Sequence, residues 1–509
     1  MERPGTTRAV PPRTVAAPGA ATVGAVAALL LLLLLLVVVR LPWAGDLGMH
    51  AATLQRLRHS LLDPGNPLVD ADTPSPYYSP WTVLLGCVAR VTGFSVFVVL
   101  RLGALVALGL LATGVWRYVR TLSARPAAPP LALLCLVLLW GTAQFGWSGF
   151  LGLTSLALTV SYPSVLALGL AFHLWAWLAR SVRGDGERPA GERPAGWGVL
   201  AGLGVLWAVV LLVHQFSGIV ASLGALAVVG AARAGWRVWG RLGAGLLVGA
   251  VVLWLWPYYD FYALLGAGDG MDAVHRSLYR DLLGRYWLVL LGVAALGARW
   301  RRDRRDTLVL FFLLGAVVFA AGGVSGHWSW GRVLPAALIP AQVAVALEVV
   351  EPGRRAVRAG WACVLAAALA VGAWGQAGTL AYVVDREALP GAVAGKSPRP
   401  WPGYHWITPW VGYGDVVMAR RLPARQIPAY GAYTVAPGYP DFFLRDEGAR
   451  AAAVRTYFAR DTVAGTRRDI LREYGVRWVV DRGAGLRGAE GLRVVARGPG
   501  GQVLYAVAD

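Results

Sequence analysis

Charged residues are scarce in this chain. Lysine, arginine, aspartate and glutamate make up 15% of its 509 residues, whereas hydrophobic residues make up 57%. A soluble protein of this length carries a larger charged share, so the composition excludes that class and predicts a polytopic membrane protein. The formal net charge is +20. Because most arginines lie in short clusters between apolar runs, as in cytoplasmic loops, the charge does not imply nucleic acid as a partner.

Cysteine is also rare. Cys87, Cys135 and Cys363 each lie within or beside an apolar run. Their spacing is not that of metal ligands, and they do not form a disulfide framework. We therefore expect them to serve in packing.

The first apolar run, residues 21–39, is not followed by a small-residue cleavage site, although three arginines precede it as in a signal peptide. The run is about as long as a full span requires. We therefore predict a retained first transmembrane helix after a cytoplasmic N-terminal tail of residues 1–20.

Ten further apolar runs follow, and the loops between them alternate in charge. Loops assigned to the inside carry several arginines, whereas those assigned to the outside carry Trp, Tyr, Gly and Asp. We predict a transmembrane bundle at 21–381, with an extracytoplasmic first loop at 40–80 and a surface helix at 80–93. The eleven predicted spans are 21–39, 94–116, 129–146, 156–178, 197–213, 216–232, 242–258, 286–298, 307–323, 331–349 and 360–381.

The chain from residue 382 to 509 has a different pattern, with apolar runs of strand length separated by glycines. We predict a small extracytoplasmic α/β domain here. It has no Gly-rich phosphate loop, His/Cys cluster or catalytic triad, which is typical of a binding or supporting module. Its predicted strands lie within 425–436, 476–482, 492–498 and 502–508, and its predicted helices span 448–460 and 463–474.

The first loop contains the candidate catalytic group. Asp46 stands shortly after the first span, and His50 follows four positions on, so that a helix would place both on one face. A carboxylate where a span meets water can take a proton from a sugar hydroxyl. The alternative is that Asp46 only caps a helix at 47–61, a role in which Asp is favoured.

With the loop, the spans and the tail placed, the chain resembles the GT-C superfamily of membrane glycosyltransferases. The resemblance rests on an acidic residue after the first span, a Tyr/Pro segment before the next helix, a basic motif near a late span, and an outer C-terminal domain. The corresponding stretches are GDLGMH at 45–50, SPYYSPWT at 75–82, GHWSWGRVLP at 326–335 and ILREYGVRWVV at 470–480.

The resemblance implies a sugar donor linked to polyprenyl phosphate and a glycan, lipid or protein acceptor, at the outer face of the plasma membrane. Asp46 would then be the general base of a single inverting displacement. The departing lipid phosphate needs a cation, and Arg332 beside His327 is the candidate. An arginine at a span end is equally explained as an interfacial anchor that snorkels.

Four further residues are candidates for the site. His50 either orients Asp46 or faces lipid head groups. Tyr77 and Tyr78 contact substrate or belong to an interfacial aromatic belt. His214, at the outer rim of the sixth span, binds substrate or makes a structural hydrogen bond.

We predict no cofactor and no obligatory metal. Some members of the superfamily hold a divalent ion on paired acidic residues, but the second outer loop, 147–153, has no carboxylate. Asp70 and Asp72 form a D-x-D spacing that a turn explains equally well. Asp260, Asp269 and Asp272 lie in the fourth outer loop without ligand geometry.

Two other functions compete with the enzyme. A lipid-linked sugar transporter or flippase would need charged or broken helices at mid-membrane and often an internal repeat. A non-catalytic envelope-assembly protein would need neither. The predicted spans are nearly free of ionisable residues at their centres, and the polar groups concentrate on one side of the membrane, which favours the enzyme.

Overall fold

The computed structural model describes residues 18–182, 196–232, 236–266, 272–351, 354–482, 486 and 491–508. The predicted cytoplasmic tail, apart from its last three residues, and the candidate metal ligand Asp269 lie outside the described residues.

Helices dominate the chain up to residue 375. Among the described residues, seven helical segments are long and apolar enough to cross a bilayer, and two of them, Leu282–Arg302 and Trp328–Val350, include a short 3₁₀ helix. The helices are α1 (Pro18–Arg40), α2 (Leu47–His59), α3 (Pro80–Thr92), α4 (Val96–Leu122), α5 (Ala128–Leu138), α6 (Leu153–Thr159), α7 (Pro163–Ser181), α8 (Trp197–Val213), α9 (Gln215–Ala231), α10 (Trp236–Trp254), α11 (Asp272–His275), α12 (Leu282–Tyr286), α13 (Leu290–Arg302), α14 (Thr307–Ser325), α15 (Pro335–Val350) and α16 (Arg355–Gly375).

Each of the eleven predicted spans overlaps an apolar helix, so the prediction of a multi-span helical membrane protein is confirmed. Two spans differ from the prediction. The third ends at Leu138, because the chain then turns at Gly141, whose N–H donates to the Arg285 carbonyl at 2.5 Å. The fourth is split into α6 and α7, because Pro163 starts a new helix at its first position.

The bundle is built around α15, whose residues from Pro335 to Leu347 are all buried. Helices α5, α9, α13, α14 and α16 pack against it. Elsewhere small residues let helices approach closely. A Cβ on Gly204 of α8 would lie 1.8 Å from the Gly245 carbonyl of α10, so only glycine fits at this crossing.

The chain from residue 382, called the C-terminal region, contains a mixed sheet with the strand order β2-β1-β3-β5-β4. Strand β1 runs parallel to β2 and β3, and the other pairs are antiparallel. The strands are β1 (Val416–Ala419), β2 (Tyr433–Thr434), β3 (Val476–Arg482), β4 (Leu492–Arg497) and β5 (Gln502–Val507). The remaining α-helices are α17 (Gly391–Ala394), α18 (Arg421–Ala424), α19 (Glu447–Phe458) and α20 (Ala464–Glu473).

Most of these elements agree with the sequence prediction. Strands β3, β4 and β5 and helices α19 and α20 lie at the predicted positions. The strand predicted within 425–436 is wrong for most of its length, because Ile427–Tyr430 form a 3₁₀ turn and only Tyr433–Thr434 pair with β1. Strand β1 was not predicted, since four apolar residues show no alternation that separates them from a loop.

The C-terminal region packs directly on the first loop, residues 40–80. Arg56 of α2 is fully buried and donates to the carbonyls of Gly431 and Ala432 at 3.0 and 2.8 Å. Its guanidinium also lies 3.5 Å from the ring centroid of Tyr433. The first loop and the C-terminal region therefore form one continuous structure around residue 46.

Candidate active site

Asp46 stands between the end of α1 and the start of α2. Leu41 and Gly45 both have positive φ, 47° and 48°, which turns the chain back toward the bundle. Asp46 occupies the N-cap position of α2, but its side chain makes no capping hydrogen bond. The capping role proposed as the alternative therefore does not account for the carboxylate.

The Asp46 side chain is partly exposed and finds no hydrogen-bond partner among the described residues. Burial by the surrounding protein raises the pKa of this carboxyl group, and the nearby guanidinium groups of Arg332 and Arg425 lower it in part. A carboxylate with a raised pKa is a stronger base than an ordinary aspartate.

Arg332 lies on a 3₁₀ turn, Trp328–Val333, just before α15, and is 7% exposed. Its Nη2 is 3.3 Å from Nε2 of His214, and its guanidinium lies 4.7 and 5.5 Å from the ring centroids of Phe216 and Trp147. Within the described ranges no carboxylate oxygen lies within 4 Å of it. A buried cation without such a partner is suited to hold an anion.

His214 is the N-cap residue of α9, and its ring lies beside the Arg332 guanidinium. Its Nδ1 accepts from the Ser217 backbone N–H at 3.2 Å and lies 2.8 Å from Ser217 Oγ. If Nδ1 is the acceptor, the neutral ring carries its proton on Nε2, which faces the guanidinium. The two nitrogens would then both be donors, and an anion that accepts from both would relieve their contact.

The structure brings together groups from four parts of the chain, which we call the site cluster: Asp46, His214, Arg332 and Arg425. Sequence reasoning singled out the first three and missed Arg425. Arg425 stands in the C-terminal region, where its Nε donates to the Gly438 carbonyl at 3.0 Å and its guanidinium lies 5.0 Å from the Tyr439 ring centroid. No motif marks it, because only the docking of the C-terminal region brings it to Asp46.

His50 and Tyr77 flank the site cluster. His50 is 8% exposed, and burial lowers its pKa to about 3, so the ring is neutral at physiological pH. Its ring meets Tyr162 edge-on at 4.7 Å. Tyr77 is within electrostatic range of Asp46, and its hydroxyl donates to the Pro440 carbonyl at 2.8 Å.

Two of the predicted site residues lie elsewhere. Tyr78 is buried, and its hydroxyl donates to the Gly65 carbonyl at 2.8 Å, so the fold itself uses that group. His327 lies 2.9 Å from Ser325 Oγ and stacks on Trp330 at 5.5 Å, and its side chain contacts neither Arg332 nor His214. We leave both residues out of the site cluster.

In the part of the chain that the structure describes, no three His, Cys, Asp or Glu side chains come together as metal ligands. Asp260 accepts from the N–H groups of Tyr262 and Ala263, and Asp272 accepts from the N–H of Ser329. Asp260 thus serves a local turn, and Asp272 holds the 3₁₀ turn Trp328–Val333 from another part of the chain. Independence from metal remains a prediction.

No protein-family model and no curated protein matches this chain. The fold, in contrast, is similar over most of the chain to the folds of solved membrane glycosyltransferases of the GT-C superfamily. The predicted structural resemblance is thereby confirmed.

Two of these counterparts cover almost the whole chain. The arabinofuranosyltransferase AftD from Mycobacteria matches 96% of it with a TM-score of 0.57 and 18% identity, and the chain spans 40% of AftD. ArnT from Cupriavidus metallidurans matches 96% of it with a TM-score of 0.54 and 16% identity, over 98% of ArnT. ArnT bound to undecaprenyl phosphate matches 97% with a TM-score of 0.53 and 16% identity, over 98% of that chain. At these identities the similarity concerns the fold.

Proposed function

We propose that this protein is an integral membrane glycosyltransferase that transfers a sugar from a polyprenyl-phosphate donor to a glycan, lipid or protein acceptor outside the cytoplasm. The observation that carries the proposal is a pair of oppositely charged side chains. Asp46 has a carboxylate without a hydrogen bond in the described residues, and the nearby Arg332 is a buried cation without a carboxylate within 4 Å. The GT-C fold supports the enzyme class.

Asp46 acts as the general base. As the acceptor oxygen attacks the anomeric carbon, its proton passes to the carboxylate, and the bond from that carbon to the phosphate oxygen breaks with its electron pair on the phosphate. One displacement inverts the anomeric configuration. Because burial raises the pKa of Asp46, activity falls as the pH drops through that pKa.

Arg332 stabilises the departing phosphate. Its guanidinium lies 3.3 Å from Nε2 of His214, and donors fixed in advance stabilise developing charge without reorganisation. The undecaprenyl phosphate bound by ArnT supports a donor of this class. We assign Tyr77, near Asp46, to contact with the substrate, and His50 to the role of a neutral neighbour of the base.

The test uses full-length protein reconstituted in bilayers and assayed for consumption of a lipid-linked sugar. Asp46→Asn keeps the size of the side chain but removes the base, so we expect turnover to fall by about 10²–10⁴-fold with donor affinity retained. Arg332→Ala should instead weaken donor binding. The matched control is Asp63→Asn, an exposed carboxylate of the same loop. Full turnover by Asp46→Asn would refute the assigned base.

A further inference from the structure

A groove lies between α13 and α14, two consecutive helices joined by residues 303–306. Both helices pack against α15 and contact each other little, so the space between them is left open. The groove has a volume of about 590 Å³, which is within the range of sites that hold a small molecule. Its lining includes Leu296, Gly297, Val309 and Phe312 along its length and Arg301 and Arg304 near the loop.

The groove is at the periphery of the bundle and far from the site cluster. Of the apolar segments that contain α13 and α14, 33% and 28% are buried, against 83% of the segment that contains α15. Helix α14 has 19 residues and is therefore about 28 Å long, with residues 303–306 before it and the turn that carries Arg332 after it. The arginine end of the groove thus lies at the opposite end of α14 from Arg332, on the side predicted to be cytoplasmic.

The carboxylates near this loop neutralise two arginines that do not line the groove. Arg299 Nη2 lies 2.6 Å from Asp306 Oδ2, and its Nη1 lies 3.8 Å from Glu348 Oε1. Arg302 also pairs with Glu348. Asp306 is used further as the N-cap of α14, where its Oδ1 accepts from two backbone N–H groups.

Arg301 and Arg304 differ from these arginines. Both are exposed, and among the described residues no carboxylate oxygen lies within 4 Å of either guanidinium. The other acid of the loop, Asp303, accepts from the Arg305 backbone N–H through its Oδ1 at 2.9 Å. The groove therefore combines apolar walls with two cations that the described protein does not neutralise.

We propose that this groove binds an anionic phospholipid, with its phosphate between Arg301 and Arg304 and an acyl chain along the apolar walls. Arginine is suited to phosphate because its guanidinium offers two parallel N–H donors. Basic pockets between transmembrane helices bind lipid head groups in the same way. A free phosphate would use only the arginines, and an uncharged lipid only the walls, whereas an anionic phospholipid uses both. The site does not depend on the proposed function.

Gly297 shows that the groove has room for a chain. It lies on the groove side of α13, and a Cβ added there would have no heavy atom within 4 Å. Glycine is a poor helix former, so a larger residue would also favour the helix. Gly297→Phe should therefore fill part of the groove without disturbing the fold and without changing the charge.

The charge requirement is tested by native mass spectrometry of the full chain in detergent, titrated with phosphatidylglycerol or phosphatidylcholine. The wild-type chain should retain one phosphatidylglycerol in preference to phosphatidylcholine. Each arginine near an anionic lipid contributes about fivefold, so Arg301→Gln with Arg304→Gln should weaken this binding by about 30-fold. Arg355→Gln with Arg358→Gln removes the same charge from exposed positions on α16 and should keep the wild-type affinity. Equal losses in the two double variants would overturn the proposal.

The requirement for an open groove is tested with Gly297→Phe. This variant should lose the retained lipid, whereas Gly360→Phe, at an exposed position of α16 where a Cβ also meets nothing within 4 Å, should keep it. Thermal unfolding is the second readout: phosphatidylglycerol should raise Tm of the wild-type chain and of Gly360→Phe but not of Gly297→Phe. Without added lipid the three Tm values should agree. Undiminished lipid binding by Gly297→Phe would overturn the proposal.

Inorganic phosphate separates a lipid site from a site for a free anion. At matched ionic strength, phosphate should leave the bound phosphatidylglycerol in place, because it gains nothing from the apolar walls. Displacement of the lipid by phosphate would assign Arg301 and Arg304 to a free anion and overturn the proposal.

Discussion

Asn66 Nδ2 donates a 2.7 Å hydrogen bond to Asp441 Oδ2, and both side chains are buried where the first loop meets the C-terminal region. The Asn66 amide oxygen accepts from the backbone N–H groups of Leu68 and Val69 at 2.9 and 3.2 Å. One side chain thus ties the loop's own backbone to the C-terminal region, next to the turn where Tyr77 reaches the Pro440 carbonyl.

This contact predicts a pH dependence of stability. Burial raises the pKa of Asp441 from 3.8 to about 6, against hydrogen bonds from Asn66 and the Phe443 N–H that lower it. The folded protein therefore binds more protons than the unfolded chain between about pH 4 and pH 6, and the free energy of unfolding falls as the pH rises through that window. The shift corresponds to on the order of 3 kcal/mol.

We expect Asp441→Asn to flatten this dependence in thermal unfolding between about pH 4 and pH 8. The amide keeps an acceptor for Asn66 but cannot ionise. Asp63→Asn, at an exposed position of the same loop, should retain the wild-type slope. A slope that survives in Asp441→Asn would assign the pH dependence to other groups.

Substitution of Arg56 is expected to lower the stability of the folded protein strongly. Its guanidinium satisfies two carbonyls of the C-terminal region and lies over Tyr433 with no exposed surface. Arg56→Ala removes both hydrogen bonds and leaves a cavity between the two parts, although the Gly431 carbonyl keeps the Gly414 N–H as a donor, so we expect a loss of about 3–5 kcal/mol by thermal unfolding. Lysine should recover little of it, because a point charge cannot reproduce the fork of two donors.

The control for Arg56→Ala is Arg58→Ala, a substitution on the same helix. Arg58 is only partly buried and donates a single 3.2 Å bond to the Gly93 carbonyl. Its removal should cost less than about 1 kcal/mol. Equal losses from the two substitutions would contradict the role assigned to Arg56.

Much of the bundle could be predicted from the sequence, since the length of an apolar run is a local property set by bilayer thickness. Asp46 and Arg332 could be identified for the same reason, because each stands close to the end of an apolar run. Tyr162, Arg425 and Tyr439 could not, since they reach residue 46 only through packing between distant segments. These three residues come close to Asp46 only in the folded protein, so no pattern in the neighbouring sequence could identify them.

The sequence also placed His327 beside Arg332, and the structure does not bring their side chains together. Five positions separate them around a 3₁₀ turn, and with three residues per turn that separation leaves two side chains on different faces. The His214 ring occupies the place beside Arg332 that the sequence assigned to His327.

Arg425 predicts a shift in the pH dependence of turnover. A guanidinium near a carboxylate favours its ionised form, so Arg425→Gln should raise the pKa of Asp46 and move the acid limb to higher pH. Arg425→Lys keeps the charge and should hold the limb near its wild-type position. Arg421→Gln, an exposed arginine on α18, is the matched control. An acid limb that does not differ between Arg425→Gln and Arg421→Gln would remove Arg425 from the site cluster.

The predicted sidedness is tested with single cysteines in a cysteine-free version of the chain. Ser397 is unsuitable because it is buried and bonded to Arg386, whereas Arg399 is exposed in the C-terminal region. We expect Arg399→Cys to react with a membrane-impermeant maleimide in intact cells. Arg304→Cys, exposed in the basic loop between α13 and α14, should react only after lysis. The reverse pattern would put Asp46 on the cytoplasmic side, and the donor and acceptor would then have to be sought there.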